Sequence, residues 1–140
     1  MKYVGLDLGS RTCGVAISDE LGILARAVTT IRFNDNEYTY CAKEVLKICQ
    51  TEGAKAIVLG LPKHMNGDMG ERAQISLKFK EKIQKLNSDI EVILYDERLT
   101  TITVDRIMIS GNVKRNDRHK KKDEMAAVVI LQDYLNSKGF

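Results

Sequence analysis

Three acidic residues occupy points of the chain where a carboxylate is suited to bind a metal ion. Asp7 lies inside the apolar segment Tyr3–Leu8, where an ionised group is costly to bury unless it is paired or binds a metal. Glu97 follows the apolar segment Ile90–Tyr95, and Asp123 precedes an apolar stretch near the C-terminus. Carboxylates are the ligands that Mg²⁺ prefers, and two such ions about 3.5–4 Å apart activate water and neutralise phosphate charge. The three acids together therefore predict metal-assisted phosphodiester hydrolysis.

Each acid also has a simpler interpretation. Asp7 could face water on an edge strand or accept hydrogen bonds from the next turn. Asp96 or Glu97 could pair with Arg98 as a salt bridge in a loop. Asp123 could cap the N-terminus of the final helix, where an acid also favours the helix dipole. The residue types leave open which of Asp96 and Glu97 would be the middle ligand.

The positive charge of the chain is concentrated in one segment. The formal net charge is only +3, but Lys114–Lys122 alone carries +5 and leaves the rest of the chain at −2. Such asymmetry predicts an anionic partner. The alternative is a solvated loop that is merely rich in lysine.

Length and composition predict one soluble domain over residues 1–140. The chain has 44% hydrophobic and 29% charged residues, which is ordinary for a globular protein. No apolar run approaches the roughly 20 residues of a membrane helix, and no signal peptide opens the chain. The three cysteines include no CxxC pair, and Cys41 and Cys49 fall on one face of a predicted helix. We therefore expect a cytoplasmic protein without membrane association, disulfides or zinc.

Hydrophobic periodicity predicts the elements that position these residues. Apolar and β-branched runs predict strands at Tyr3–Leu8, Gly14–Ser18, Ile23–Phe33, Ala56–Gly60 and Ile90–Tyr95. Helical spacing predicts a first helix through Tyr38, Cys41, Val45, Ile48 and Cys49, which ends at Gly53. It predicts a second helix through Ile75, Phe79, Ile83 and Leu86 and a short third helix over Thr103–Ser110. Asp123 opens the predicted last helix, whose first turns, Met125–Leu131, are expected to be buried. The order β-β-β-α-β-α-β-α-α predicts an α/β fold with a mixed sheet. Ligands of such sheets bind beyond the carboxyl ends of the parallel strands.

The chain resembles the RuvX (YqgF) family, of the RuvC-like branch of the ribonuclease H-like fold. The motifs that carry the resemblance are Asp7-Leu8-Gly9-Ser10-Arg11 with Gly14-Val15-Ala16, Gly60-Leu61-Pro62, Asp96-Glu97-Arg98-Leu99-Thr100-Thr101, and Asp123-Glu124-Met125-Ala126-Ala127 with Ile130-Leu131. They cover essentially the whole chain in order. The DERLT segment and the downstream DxxAA are the specific ones.

This resemblance implies a five-stranded mixed sheet, three antiparallel strands followed by two parallel ones, flanked by helices. It implies a cytoplasmic nuclease that depends on Mg²⁺ or Mn²⁺, with Asp7, Glu97 and Asp123 as the metal-binding acids. Two activities are associated with the family: processing of the 5′ end of pre-16S rRNA, which we favour, and Holliday junction resolution on four-way DNA. One departure from the wider fold is that the strand ending at Gly60 carries no acid.

Basic residues complete the predicted site. Arg98 would orient the scissile phosphate or stabilise its developing charge. Six residues would bind the nucleic-acid backbone: Lys114, Arg115, Arg118, Lys120, Lys121 and Lys122. The loop Lys63–Glu71 either lines the substrate groove or is plain surface. The sequence does not distinguish RNA from DNA, nor a monomer from a weak homodimer.

Two other classes of protein share parts of this pattern. Actin-like ATPases and sugar kinases open with a similar strand-Asp-x-Gly turn, but they need two such domains and 140 residues hold one. A module that binds nucleic acid without cutting it is disfavoured because all three acids are present.

Overall fold

The computed structural model describes residues 1–62, 70–96 and 115–138, with the backbone alone over 115–123. The strands are β1 (Lys2–Leu8), β2 (Thr12–Ser18), β3 (Ala25–Arg32), β4 (Ala54–Leu61) and β5 (Glu91–Asp96), and the helices are α1 (Tyr38–Glu52), α2 (Glu71–Leu86) and α3 (Arg115–Ser137). The five predicted strands and the first, second and last helices are thus present in the predicted order. The helix predicted over Thr103–Ser110 lies outside the described residues.

One sheet contains all five strands, in the order β3-β2-β1-β4-β5. β1 pairs antiparallel with β2, and β2 with β3, whereas β1 and β4 and then β4 and β5 pair parallel. The tight connection between β1 and β2 closes with a 2.7 Å hydrogen bond from Gly9 N to Thr12 O, which forces an antiparallel pair. Helices α1 and α2 precede β4 and β5, so each of these strands returns parallel to its neighbour. The predicted mixed sheet is confirmed.

Alternating side chains divide the core between the two faces of the sheet. Leu6 and Leu59 belong to the cluster beneath α1 and α2. Tyr3 and Val58 belong to the cluster beneath α3, which includes Leu131. Because both faces are covered, β1 and β4 are buried almost throughout, which explains their continuous apolar sequences.

The ends of α1 and α2 test the helix predictions in detail. Gly53 caps α1 with a left-handed backbone, φ 72°, as predicted. Phe79 and Ile83 are buried in α2 and Ile75 is partly buried, but Leu86 is 45% exposed. The helix predicted through Leu86 is confirmed, and this last residue is exposed because the core no longer covers the end of the helix.

The final helix begins earlier than the sequence indicated. Asp123 does not open α3, which already starts at Arg115 and continues to Ser137, so the capping role is also wrong. Arg and Lys are good helix formers, and repulsion between like charges costs only about 0.2–0.5 kcal/mol per pair. Such repulsion does not outweigh the helix propensity of the Arg and Lys residues in this segment. Most of the basic segment is thus helical, and not a loop.

Cys13, Cys41 and Cys49 are all buried. Cys41 and Cys49 lie on the buried face of α1, as their helical spacing predicted. Burial raises the pKa of the Cys49 thiol to about 11. Among the described helices, no stretch is long and apolar enough to cross a membrane.

Candidate active site

Asp7 is the penultimate residue of β1, at the carboxyl end of the central strand. Its side chain is half-buried. It points to the same face of the sheet as Tyr3, which packs beneath α3, and to the opposite face from Leu6. Its partner on β2 is Gly14, which has no side chain. The antiparallel neighbour therefore leaves space beside the Asp7 carboxylate.

Helix α3 runs antiparallel to β1 and approaches it closely at Gly5. A Cβ on Gly5 would lie 2.6 Å from Leu131 Cβ and 3.0 Å from Ala127 O. Further towards the start of β1, the rings of Tyr3 and Tyr134 meet edge to face at 5.8 Å. These contacts run in opposite directions along the two elements, so residues earlier in α3 lie beside residues later in β1.

The same geometry brings the backbone of Asp123 level with Asp7. Asp123 precedes Ala127 by one helical turn, or about 6 Å along the axis, and Asp7 follows Gly5 by about 6.6 Å of strand. An independent contact agrees with this placement. Thr30 Oγ1 donates a 3.3 Å hydrogen bond to Glu124 Oε1.

Thr30 belongs to the same row of the sheet as Asp7. Thr30 pairs with Gly14 on β2, and Gly14 pairs with Asp7 on β1. Glu124, the residue after Asp123, is therefore bound to the row that contains Asp7. The structure thus brings together two of the three predicted acids, Asp7 through its side chain and Asp123 through its backbone position.

Asp96 ends β5, where it pairs with Leu61 of β4. Along β5, Ile93 and Tyr95 pack in the cluster beneath α3, whereas Leu94 packs in the opposite cluster. By this alternation Asp96 belongs to the face of α1 and α2, and not to the face of Asp7.

The other predicted site residues have these positions. The backbone of Arg115, Arg118, Lys120, Lys121 and Lys122 forms the first turns of α3. Glu97, Arg98 and Lys114 lie outside the described residues, as does most of the Lys63–Glu71 loop.

Two residues at this edge were not singled out by the sequence. Glu124 binds Thr30, as described above. Arg72 Nη2 donates a 2.9 Å hydrogen bond to Leu8 O, directly after Asp7. Both bonds join residues that are far apart in the chain, so no local sequence pattern predicts them.

Carboxylates influence the titration of a neighbouring side chain near the end of β5. The pKa of Tyr95 is raised, first by burial and then by the charges of Asp133 and Asp96. The pKa of Asp133 is itself raised by burial.

The described residues fit the chemistry of a divalent metal in part. Asp7 offers a half-buried carboxylate beside the side-chain-free Gly14, and oxygen donors of this type suit Mg²⁺ and Mn²⁺. Within residues 1–62, 70–96 and 115–138, no group of three Asp, Glu, His or Cys side chains is placed to hold a metal. Glu97 and the side chain of Asp123 are not among those described.

A cleft of about 600 Å³ lies away from Asp7. The ends of α1 and α2 and the residues before β5 line it, with Lys43, Lys47 and Lys55 among them. These segments meet at the amino end of the parallel strands, whereas Asp7 lies at the carboxyl end. Because ligands of open α/β sheets bind beyond the carboxyl ends, this cleft is not the candidate active site.

Comparisons with known proteins agree with this architecture. Residues 1–137 match the RuvX family, described as Holliday junction resolvase. A Staphylococcus carnosus protein named "Putative pre-16S rRNA nuclease" is 44% identical over 97% of this chain and 96% of its own length. A protein of the same name from Geobacillus kaustophilus is 45% identical over 99% of each chain.

Solved structures share the fold at low sequence identity. Thermus thermophilus RuvC in complex with a Holliday junction substrate superposes with a TM-score of 0.65 at 13% identity, over 99% of this chain and 95% of that one. The fowlpox virus resolvase bound to Holliday junction DNA gives a TM-score of 0.60 at 18% identity, over 100% of both chains. The chain therefore belongs to the RuvX family and has the ribonuclease H-like fold.

Proposed function

We propose that this protein is a metal-dependent nuclease of the cytoplasm that processes the 5′ end of pre-16S rRNA. The observation that carries the proposal is the position of α3 along β1. This position brings the backbone of Asp123 to the row of the sheet that contains the half-buried Asp7. Two residues that are far apart in the sequence thereby lie at the same level of the carboxyl edge of the sheet. The choice of substrate is supported by relatives at 44% and 45% identity that carry the pre-16S rRNA nuclease name.

Asp7, Glu97 and Asp123 are proposed to hold Mg²⁺ or Mn²⁺. When bound, these ions supply an activated water and neutralise charge on the phosphate and on the leaving oxygen. The protein contributes the position of its carboxylates, because β1 and α3 are packed too closely to slide past one another at Gly5.

The alternation of β5 favours Glu97 over Asp96 as the middle ligand. Asp96 falls on the face of α1 and α2, since Ile93 and Tyr95 pack beneath α3. Glu97, the other acid of this motif, is therefore kept as the proposed middle ligand.

The remaining proposed roles belong to basic residues. Arg98 would orient the scissile phosphate through its planar fork of donors. The basic residues at the start of α3 would bind the substrate backbone beside Asp123. We propose one functional unit over residues 1–140 that acts as a monomer or weak homodimer, without a membrane partner.

A second candidate is Holliday junction resolution on four-way DNA. The description of the family and the RuvC fold of its structural neighbours favour it. A non-catalytic module that binds nucleic acid is the third possibility. The three functions differ in substrate and in turnover, so one set of assays separates them.

The test uses purified wild type and Asp7→Asn with a pre-16S leader fragment and a four-way DNA junction, in Mg²⁺, in Mn²⁺ and in EDTA. We expect wild type to cut the leader fragment only with metal, and Asp7→Asn to lose about 100-fold or more of the rate. Preferential cutting of the junction would establish the resolvase instead. Binding without cutting by wild type, or equal cutting by Asp7→Asn, would refute the metal-dependent nuclease.

A further inference from the structure

Arg72 links α2 to the end of β1 beside the proposed metal site. Its Nη2 donates a 2.9 Å hydrogen bond to the carbonyl oxygen of Leu8, the residue after Asp7. Arg72 is the second residue of α2, which begins at Glu71. The guanidinium is therefore held at the carboxyl edge of the sheet.

The Leu8 carbonyl needs a partner because the β1–β4 ladder has ended. The last register pair between the two strands is Leu6 with Leu59, two residues before Leu8. A backbone carbonyl at the end of a buried strand is costly to leave without a donor, and Arg72 provides one. This bond uses one of the five N–H groups of the guanidinium.

The positive charge of Arg72 is not neutralised by this bond, because the carbonyl is neutral. The ion pairs found within the described parts of the chain do not include Arg72, whereas Arg11 nearby is paired with Asp35 at 2.9 Å. Arg72 is also exposed as a whole. The arrangement is thus an anchored, solvent-facing cation next to Asp7.

The start of α2 adds to the positive potential at this place. Its N-cap is Gly70, which provides no side-chain cap, and the first amides of a helix carry partial positive charge. Arg72 and these amides come from the same turn. Glu71 lies in the same turn and its charge offsets the amides in part, so the anchored guanidinium of Arg72 is the group that favours an anion on the β4 side of Asp7.

We propose that Arg72 binds a backbone phosphate of the nucleic-acid substrate and so positions the strand beside the metal-binding acids. The inference rests on the proposed function, because it assumes a nucleic-acid substrate at this edge. Arginine suits the task because its fork can donate to a phosphate while one N–H stays on Leu8 O. In the strand order β3-β2-β1-β4-β5, this contact lies on the β4 side of Asp7, whereas β3 lies on the opposite side.

Three variants test the phosphate contact. Arg72→Gln removes the charge but retains an N–H donor, and Arg72→Lys retains the charge. Lys82→Gln removes the same charge from the same helix roughly 15 Å away. The affinity for a labelled pre-16S leader fragment and for a four-way junction is measured in EDTA over a range of salt concentrations, and stability is measured by urea unfolding.

We expect Arg72→Gln to weaken binding about 5-fold at low salt and to reduce the slope of log Kd against log salt by about 0.7–0.9. Arg72→Lys and Lys82→Gln should retain the wild-type slope. With metal added, Arg72→Gln should raise KM more than it lowers kcat, since Asp7 and Asp123 remain.

An unchanged slope in Arg72→Gln would overturn the inference. Equal losses of stability in Arg72→Gln and Arg72→Lys, with equal slopes, would assign Arg72 to the Leu8 carbonyl alone and would also overturn it. If wild type binds neither nucleic acid, the proposed function itself fails, and the result is distinct from a failure confined to Arg72.

Discussion

The hydroxyl of Thr30 donates a 3.3 Å hydrogen bond to a carboxylate oxygen of Glu124 across a separation of 94 residues. The bond joins strand β3 to helix α3 at the row of the sheet that contains Asp7. It is the described side-chain contact closest in sequence to Asp123. The position of the helix along the sheet thus has a specific polar contact at this end, in addition to the apolar packing at Gly5.

Asp123→Asn should abolish metal-dependent cleavage while the fold is retained. Asp123 lies inside α3, so no capping bond is lost, and Asn in a helix costs only a few tenths of a kcal/mol relative to Asp. We expect at least about a 100-fold loss of rate, measured under single-turnover conditions. Asp133→Asn on the same helix is the matched control and should cut normally. Similar activities for both variants would remove Asp123 from the metal site.

Glu97→Gln should be far more damaging than Asp96→Asn. The alternation of β5 puts Asp96 on the face away from Asp7, so its charge is not expected to contact the metal. Cleavage rates measured against Mg²⁺ concentration distinguish the two acids, since loss of a ligand also raises the concentration of metal needed. The reverse ranking would make Asp96 the middle ligand.

Gly5→Ala should destabilise the protein by about 1–3 kcal/mol, the usual cost of overpacking. The new Cβ would lie 2.6 Å from Leu131 Cβ, and the backbone oxygen of Ala127 prevents an easy shift. Urea unfolding measures the loss. A Gly5→Ala, Leu131→Gly double variant, which removes the Cβ that the new methyl group would meet, should lose less than the sum of its single changes. Wild-type stability of Gly5→Ala would show that α3 is not tightly packed on β1.

Replacing Lys120, Lys121 and Lys122 by Gln should reduce the salt dependence of binding. Each lost phosphate contact lowers the slope of log Kd against log salt by about 0.7–0.9, so three contacts predict a change of about 2–3. Circular dichroism should remain unchanged, because Gln supports a helix nearly as well as Lys. An unchanged slope would mean that this part of α3 does not bind the substrate.

Cys49 should make the stability fall as the pH rises above about 9. Burial raises the pKa of its thiol from 9.0 to about 11, so the unfolded chain loses this proton before the folded protein does. The stabilising effect is complete below pH 9 and is lost between pH 9 and about 11. The difference in unfolding free energy between wild type and Cys49→Ala should therefore shrink over this range. A constant difference would contradict the raised pKa.

The strands were predictable because their apolar sequences are continuous or bounded by turns. β1 and β4 read as buried strands since helices cover both sides of the sheet. The connection from Gly9 to Thr12 and the cap at Gly53 were equally readable. Each of these signals is local, and each depends on side-chain size or backbone freedom.

The start of α3 and the contacts at the sheet edge were not predictable in the same way. An acid before an apolar stretch resembles a cap, and nothing local shows that Asp123 continues a helix from Arg115. The bonds of Arg72 to Leu8 and of Thr30 to Glu124 depend on the packing of distant segments. The sequence located Asp7 as an isolated carboxylate, and the fold supplied its relation to Asp123.

The packing of α3 on β1 has a consequence for the order of events during synthesis. The face of the sheet that carries Tyr3, Ala16 and Val58 is covered by residues near the C-terminus, such as Leu131 and Leu135. On a growing chain this face remains open until α3 has been synthesised, and non-local contacts of this kind form late. Under the proposed function, a nascent or truncated chain lacks the helix that brings Asp123 to Asp7. Under that function, RNA hydrolysis would require a chain that includes α3.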